Sequence, residues 1–299
     1  MKKPVFTGCA TALATPFDSS GGVDFAALDR LIDFQIGSGV SAVVVCATTG
    51  ECPTLTDGEF EAVVTAAVKC AAGRIPVLAG TGRNCTRRSL ELSLTAQRCG
   101  AAGLLMVNPY YNKSTQAGIC EHFDYIADRV DIPIILYSVP SRTGCPIAPE
   151  SYARLARHPM IYGTKEASGD ISLISKAISL TPDDFVFYSG NDDQVLPIAA
   201  LGGRGVVSTL SNIAPRAMSG LCRCLDRGDL PAARALHRRL LPLIDALFCE
   251  TNPIPLKYAM GRLGLCSPRV RLPLTEPSGR AKDLIDTELQ NFGLLPKKV

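Results

Sequence analysis

Gly103-Leu104-Leu105-Met106-Val107-Asn108-Pro109-Tyr110-Tyr111-Asn112 sets an apolar run directly against a polar, proline-marked turn. The run does not alternate apolar with polar residues. Both faces of the strand it predicts are therefore covered, as in a parallel sheet wrapped by helices. The same pattern recurs along the chain. Strands are expected at Phe6–Ala14, Ala42–Cys46, Pro76–Leu78, Gly103–Val107, Pro133–Tyr137, Ile161–Thr164, Phe185–Tyr188 and Gly205–Val207. Between them lie amphipathic segments such as Phe25–Ser38, Asp57–Ala72, Thr86–Cys99 and Gln116–Arg129. Thr56-Asp57-Gly58-Glu59 and Asn84-Cys85-Thr86 read as helix entries. Alternation of this kind predicts an α/β fold, a (β/α)8 TIM barrel over residues 1–227. From about Gly228 the strand signals stop, and residues 228–299 read as a C-terminal helical appendage. An open doubly wound sheet is the competing architecture. It normally carries a glycine fingerprint at its first turn, whereas the first strand here runs into Thr15-Pro16-Phe17-Asp18.

The chain of 299 residues is 46% hydrophobic and 20% charged, with a net charge of +3. Its Lys and Arg residues are scattered, so there is no footprint for nucleic acid or a membrane surface. No run approaches the roughly 18 apolar residues of a membrane span, and the first residues lack an apolar signal core. A cytoplasmic location is expected. The 12 cysteines, among them Cys46, Cys70, Cys99 and Cys249, read as small buried hydrophobes in a reducing compartment. Cys222-x-Cys224 has no second ligand pair at zinc spacing, so no metal site is predicted.

In such barrels the chemistry sits at the carboxyl ends of the strands. Lys165 directly follows an apolar strand. A lysine there either pairs with a carboxylate such as Glu166 or serves as an amine nucleophile whose pKa is depressed by burial. Tyr137 closes the neighbouring strand and can shuttle protons if hydroxyls such as Thr48, Thr49 and Tyr111 relay them. Arg142, between Pro140 and Gly144, offers a planar fork to a carboxylate. Gly190, Gly202, Gly203 and Gly205 mark either tight turns or a phosphate cradle. The three histidines, His122, His158 and His237, fall in helices or a turn and are read as structural.

Thr48-Thr49-Gly50-Glu51, Asn108 to Lys113, Tyr137 to Gly144, Gly163 to Gly169 and Glu250-Thr251-Asn252-Pro253-Ile254-Pro255 together resemble the dihydrodipicolinate synthase / N-acetylneuraminate lyase family, in order and over essentially the whole chain. The resemblance implies a pyruvate-dependent class I aldolase without an organic cofactor. Lys165 would form the imine. Thr48 and Thr49 would hold the pyruvate carboxylate. Tyr137 would move protons, linked to Thr48 and to Tyr111. Gly190 and Val207 would bring backbone atoms near the substrate. In this family the residue at the position of Tyr111 enters a neighbouring subunit's site, which implies an obligate dimer contact, commonly within a homotetramer built as a dimer of dimers. Ser141-Arg142-Thr143-Gly144 resembles the synthase branch. There the Arg receives the carboxylate of L-aspartate-4-semialdehyde, on the route to diaminopimelate and lysine. Another aldolase of the family, acting on a sugar acid or keto acid, and a non-catalytic pyruvate-binding barrel remain alternatives. Ala47, Ser138 and Thr164 depart from the family pattern. At the positions of the family's lysine-inhibition pocket stand Asp57, Phe60 and Arg88, and the cationic Arg88 predicts weak or absent feedback by lysine.

Overall fold

In the computed structural model, which describes residues 1–296, eight parallel strands close into one barrel in sequence order. They are β1 (Gly8–Ala12), β2 (Ala42–Val45), β3 (Val77–Gly80), β4 (Gly103–Val107), β5 (Ile134–Ser138), β6 (Ile161–Glu166), β7 (Val186–Ser189) and β8 (Gly205–Ser208), with β8 pairing back onto β1. Helices α1 (Phe25–Gly37), α2 (Asp57–Ala71), α3 (Thr86–Arg98) and α4 (Gln116–Ala127) follow the first four strands. A short α5 (Pro140–Thr143) and then α6 (Pro149–Leu155) follow β5. Next come α7 (Ile171–Leu180), α8 (Val195–Ala200) and α9 (Pro215–Asp226). The C-terminal segment adds α10 (Leu230–Leu247), α11 (Ile254–Arg262) and α12 (Gly279–Phe292). Of the residues expected as a C-terminal unit, 228–299, these three helices are described, with turns and coil between α11 and α12; the last residues, 297–299, lie outside the described residues.

Strand parity divides the core in two. Val43 and Val45, Leu104 and Met106, and Ile134 and Leu136 face the helices. Ala42 and Val44, Leu105, and Ile135 and Tyr137 fill the barrel interior. Successive side chains of a strand point to opposite faces, and paired residues of neighbouring strands share one. Register therefore fixes direction at the catalytic end. Lys165 is paired with Tyr137 on one side and Tyr188 on the other, both interior residues. Lys165 points inward, and Glu166 points out toward α6.

The strand boundaries differ from the sequence reading chiefly at their ends. β6 continues through Lys165 and Glu166, two polar residues that read as loop but whose backbone pairs with Tyr188 and Ser189. β3 continues to Gly80, where an added Cβ would lie 2.4 Å from the Cys46 carbonyl oxygen. The glycines of Gly80-Thr81-Gly82 thus serve close packing between strand ends. Gly205 does the same at the other end of the barrel, where a Cβ would sit 2.0 Å from the Gly8 oxygen. The α2 entry is the expected capping box, with Thr56 and Glu59 bonding each other's backbone N–H groups at 2.9 and 3.3 Å. The α3 entry is not capped as expected: Cys85 occupies the N-cap and makes no side-chain bond. The cysteine reading needs correction as well. Cys46 is buried, but Cys70 and Cys99 are half-buried and Cys249 is exposed, because each lies near a helix edge or end that the apolar pattern alone did not resolve.

One buried ion pair joins the C-terminal helices to the barrel mouth. Lys257 on α11 donates from Nζ to Glu51 Oε1 at 2.9 Å and to the Thr15 carbonyl at 2.8 Å. Both charged side chains are 0% exposed. The ammonium lies 4.0 Å from the Phe17 ring centroid, and Glu51 Oε2 accepts the Arg271 backbone N–H at 2.9 Å. Removing one member leaves the other charged and dry. Lys257→Met should therefore lower the unfolding free energy by about 3–5 kcal/mol, and adding Glu51→Gln should restore part of it. Urea denaturation of the single and double variants measures both.

Candidate active site

The polar ends of the strands enclose a cavity of about 160 Å³ at the barrel mouth. Among the predicted residues, Thr48, Thr49, Tyr137, Arg142, Lys165 and Gly190 line it. Val207 does not; it packs in the barrel interior with Ala10 and Ala12. Tyr111 also stands apart from the cavity of its own chain. It is 90% exposed, in a left-handed backbone conformation at φ +71°.

Lys165 sits at the centre of this arrangement and is only 5% exposed. Its Nζ lies 4.4 Å from the centroid of the Tyr137 ring. Burial brings the amine down to about 8, partly offset by the negative charge of Asp192, with Arg142 acting in the same direction as burial. At pH 7 about a tenth of the amine is then neutral. Its stem depends on a missing side chain: a Cβ on Gly190 would lie 3.1 Å from Lys165 Cε and 2.6 Å from the Ala167 Cβ. Gly190 is therefore a close-approach glycine, and any side chain there would crowd the reactive lysine.

Pairing between Lys165 and Glu166 is ruled out by the register. Glu166 is turned to the opposite face, where it accepts from the Tyr152 hydroxyl and, at 2.8 Å, from the Ser168 N–H. Burial pushes this carboxyl up. The lysine is left without a carboxylate in contact among the described residues.

Tyr137 is likewise inward and nearly covered. Burial raises its phenol, while the Arg142 guanidinium and the Thr48 hydroxyl facing it pull the other way. Thr48 and Thr49 are carried by a tight turn after β2, bracketed by Cys46 and Glu51 in left-handed conformations at φ +54° and +53°. The turn is closed by bonds from Glu51 N to Thr48 O at 3.1 Å and from Cys52 N to Ala47 O at 3.2 Å. Gly50 within it is tightly enclosed: a Cβ would sit 3.1 Å from the Leu13 oxygen.

Asn252 is the residue that the strand-end reading missed. Its Nδ2 donates to Thr49 Oγ1 at 3.0 Å, and its carbonyl accepts from Arg142 Nη2 at 3.0 Å. A single residue just before α11 thereby braces both groups suited to bind carboxylates. Asn191, Thr209 and Phe248 also line the cavity. Asn252 belongs to the Glu250–Pro255 motif, but no strand end announced a role for it.

The histidines are apart from the cavity. His122 is buried and pushed down to about 4, with Nδ1 2.9 Å from Thr86 Oγ1. His158 contacts Asp128 at 3.1 Å. Of the residues weighed for lysine feedback, Phe60 is buried in the outer core. Arg88 bonds to Asp57 and, at 3.0 Å, to Glu91.

An inward, desolvated amine beside a phenol, two threonines and a guanidinium without a carboxylate partner among the described residues can form an imine with a keto acid and receive a second anionic reactant. Known proteins are similar to this chain over nearly its whole length. A 4-hydroxy-tetrahydrodipicolinate synthase from Exiguobacterium sibiricum is 47% identical over 274 residues, covering 92% of this chain and 94% of its own. The crystal structure of dihydrodipicolinate synthase from Thermotoga maritima superposes with a TM-score of 0.96 at 42% identity, over 98% of this chain and 100% of that one. The chloride-inhibited dihydrodipicolinate synthase from Acinetobacter baumannii, complexed with pyruvate, superposes at 0.95 with 38% identity over 97% and 99%. The family model described as the dihydrodipicolinate synthetase family matches residues 5–291, and the chain belongs to that family.

Proposed function

We propose that this chain condenses pyruvate with L-aspartate-4-semialdehyde, the activity of the 4-hydroxy-tetrahydrodipicolinate synthases it resembles. The observation that carries the reading is the buried, depressed amine of Lys165 at the barrel mouth, 4.4 Å from the Tyr137 ring.

The neutral amine adds to C2 of pyruvate, and loss of water gives an iminium on Lys165. Thr48 and Thr49 hold the pyruvate carboxylate. The iminium draws electrons from C3 as that carbon loses a proton, leaving an enamine. Carbon 3 attacks the aldehyde carbon of the semialdehyde, whose carboxylate is met by Arg142. The semialdehyde nitrogen then adds to C2, closes the ring and expels the Lys165 amine. Tyr137 moves the protons of these steps, with Thr48 on one side and a neighbouring subunit's Tyr111 on the other. The exposure of Tyr111 supports that last role, and with it a homotetramer assembled as a dimer of dimers. Gly190 supplies backbone around the bound adduct. Arg142 favours this acceptor over sugar acids. A role in lysine and diaminopimelate biosynthesis fits a cytoplasmic enzyme, and no described helix is long and apolar enough to cross a membrane. The barrel of residues 1–227 carries the chemistry, and the helical segment from 228 braces it through Asn252.

Borohydride reduction with pyruvate should give a stable adduct that peptide mapping places on Lys165; an adduct on any other residue rejects the mechanism. Asn252→Ala removes the bond to Thr49 while keeping the carbonyl that receives Arg142. It should raise KM for pyruvate about five-fold and KM for the semialdehyde less, read by steady-state kinetics. Arg88 is already engaged by two carboxylates and repels an ammonium. Lysine at millimolar concentration should therefore leave turnover unchanged in a coupled assay, and inhibition below that concentration contradicts the reading.

A further inference from the structure

Behind the cavity wall formed by Gly190, Asn191 and Thr209 lies a carboxylate that the steps above do not use. Asp192 opens the short helical turn Asp192–Gln194 that follows β7. It is 2% exposed. Its Oδ2 accepts the backbone N–H groups of Thr209 at 3.0 Å and Leu210 at 2.8 Å, in the turn after β8. Its Oδ1 has no hydrogen-bond partner among the described residues. The Ser208 hydroxyl faces the carboxylate without meeting hydrogen-bond geometry, and a buried carboxylate oxygen left open in this way calls for a cationic neighbour or a role. A functional cation, Lys165, acts on it from across the wall. β7 pairs Tyr188 with Lys165, and Gly190, two residues before Asp192, is the glycine pressed against the lysine stem.

We propose that Asp192 is the through-space counter-charge of Lys165 and a positioning residue that sets the pH window of the imine chemistry. The inference rests on the imine reading of Lys165. Each element packed around the lysine contributes one group. Tyr137 comes from β5, Arg142 from α5, Asp192 from the turn after β7, and Tyr188 from β7, its hydroxyl already given to the Phe6 carbonyl at 2.7 Å. Glu166 is on the far face. Among the described residues Asp192 is thus the one carboxylate acting on the amine, where it opposes burial and Arg142. The lysine charge in turn favours the ionised form of Asp192, as do Ser208 and the two backbone N–H groups, against the upward push of burial. The other titratable groups facing Asp192 are Cys9 on β1 and Cys222 on α9. Burial pushes both thiols up, so at neutral pH they carry no charge. The iminium has the same charge in nearly the same place as the ammonium. A fixed carboxylate therefore also supports the electron-withdrawing form from which the enamine is made.

The sign of the effect is definite. A negative neighbour favours the protonated amine, so removing it makes Lys165 give up its proton at lower pH. In Asp192→Asn an amide takes the place of the carboxylate, its oxygen still able to accept from Thr209 and Leu210. Its new NH2 lies where Oδ1 had no donor to lose. The experiment is the pH dependence of pyruvate imine formation on the full-length enzyme, by rapid mixing and borohydride quench. In the unmodified chain the rate should fall below a limb near pH 8. In Asp192→Asn that limb should move down by about one pH unit, and it should stay in place in Glu166→Gln. Should the amide variant fold poorly, Asp192→Ser, which fits within the space of the aspartate, gives the same shift. An unmoved limb in folded Asp192 variants, or an equal shift in Glu166→Gln, overturns the inference. A wild-type chain with no adduct on Lys165 overturns the imine reading itself, which separates the two failures.

Discussion

At the end of β6 an ammonium faces inward between two tyrosine-bearing strands, in a space that excludes most water and, among the described residues, offers it no contacting carboxylate. This desolvation makes the amine nucleophilic near neutral pH, and much of the mouth follows from it. The stem needs a lane, which the absent Cβ of Gly190 provides. The adjacent carboxyl of Glu166 must be kept off the lysine. Strand parity does this by sending it to the opposite face, where the Tyr152 hydroxyl and the Ser168 N–H receive it. A salt bridge to Glu166 would have held the amine protonated and idle. The sheet geometry that builds the barrel thus also decides which of two neighbouring charged residues is reactive.

The barrel does not hold its own mouth together. The turn carrying Thr48 and Thr49 ends in Glu51, whose charge is neutralised by Lys257, a residue of α11. Thr49 is held by Asn252 from the same region. Loops at barrel mouths are usually the mobile part of the fold. Here a buried ion pair to α11 and a hydrogen bond from the residue just before it fasten one of them, so that the Thr49 hydroxyl is held in place before a substrate arrives.

The order of strands and helices was legible because a covered parallel strand needs an uninterrupted apolar run, and each run here is followed by a polar turn. Lys165, Tyr137, Thr48, Thr49 and Arg142 were legible because they stand at strand ends, where this architecture collects chemistry, and because their motifs resemble a known family. The limits were physical. Nothing local distinguishes Lys165 and Glu166 as strand from loop; only pairing with Tyr188 and Ser189 does. Asn252 meets Thr49 across 203 residues of sequence, a distance no pattern spans. Asp192 reads as an ordinary acidic turn residue until the turn after β8 is seen to close over it. The exposure of Cys249 depends on where α10 ends, which the apolar pattern left loose.

The long reach of the Glu51–Lys257 contact also orders events during synthesis. The two charges are 206 positions apart. When β1 and β2 leave the ribosome, Glu51 has no cation to meet, and it keeps its shell of water until α11 emerges. Chains interrupted between the end of β8 at Ser208 and residue 257 would carry the barrel strands and the reactive lysine, yet their pyruvate-holding turn would stay hydrated and loose. Completion of the polypeptide is thus coupled to assembly of its reactive centre, and truncated products are denied a finished one.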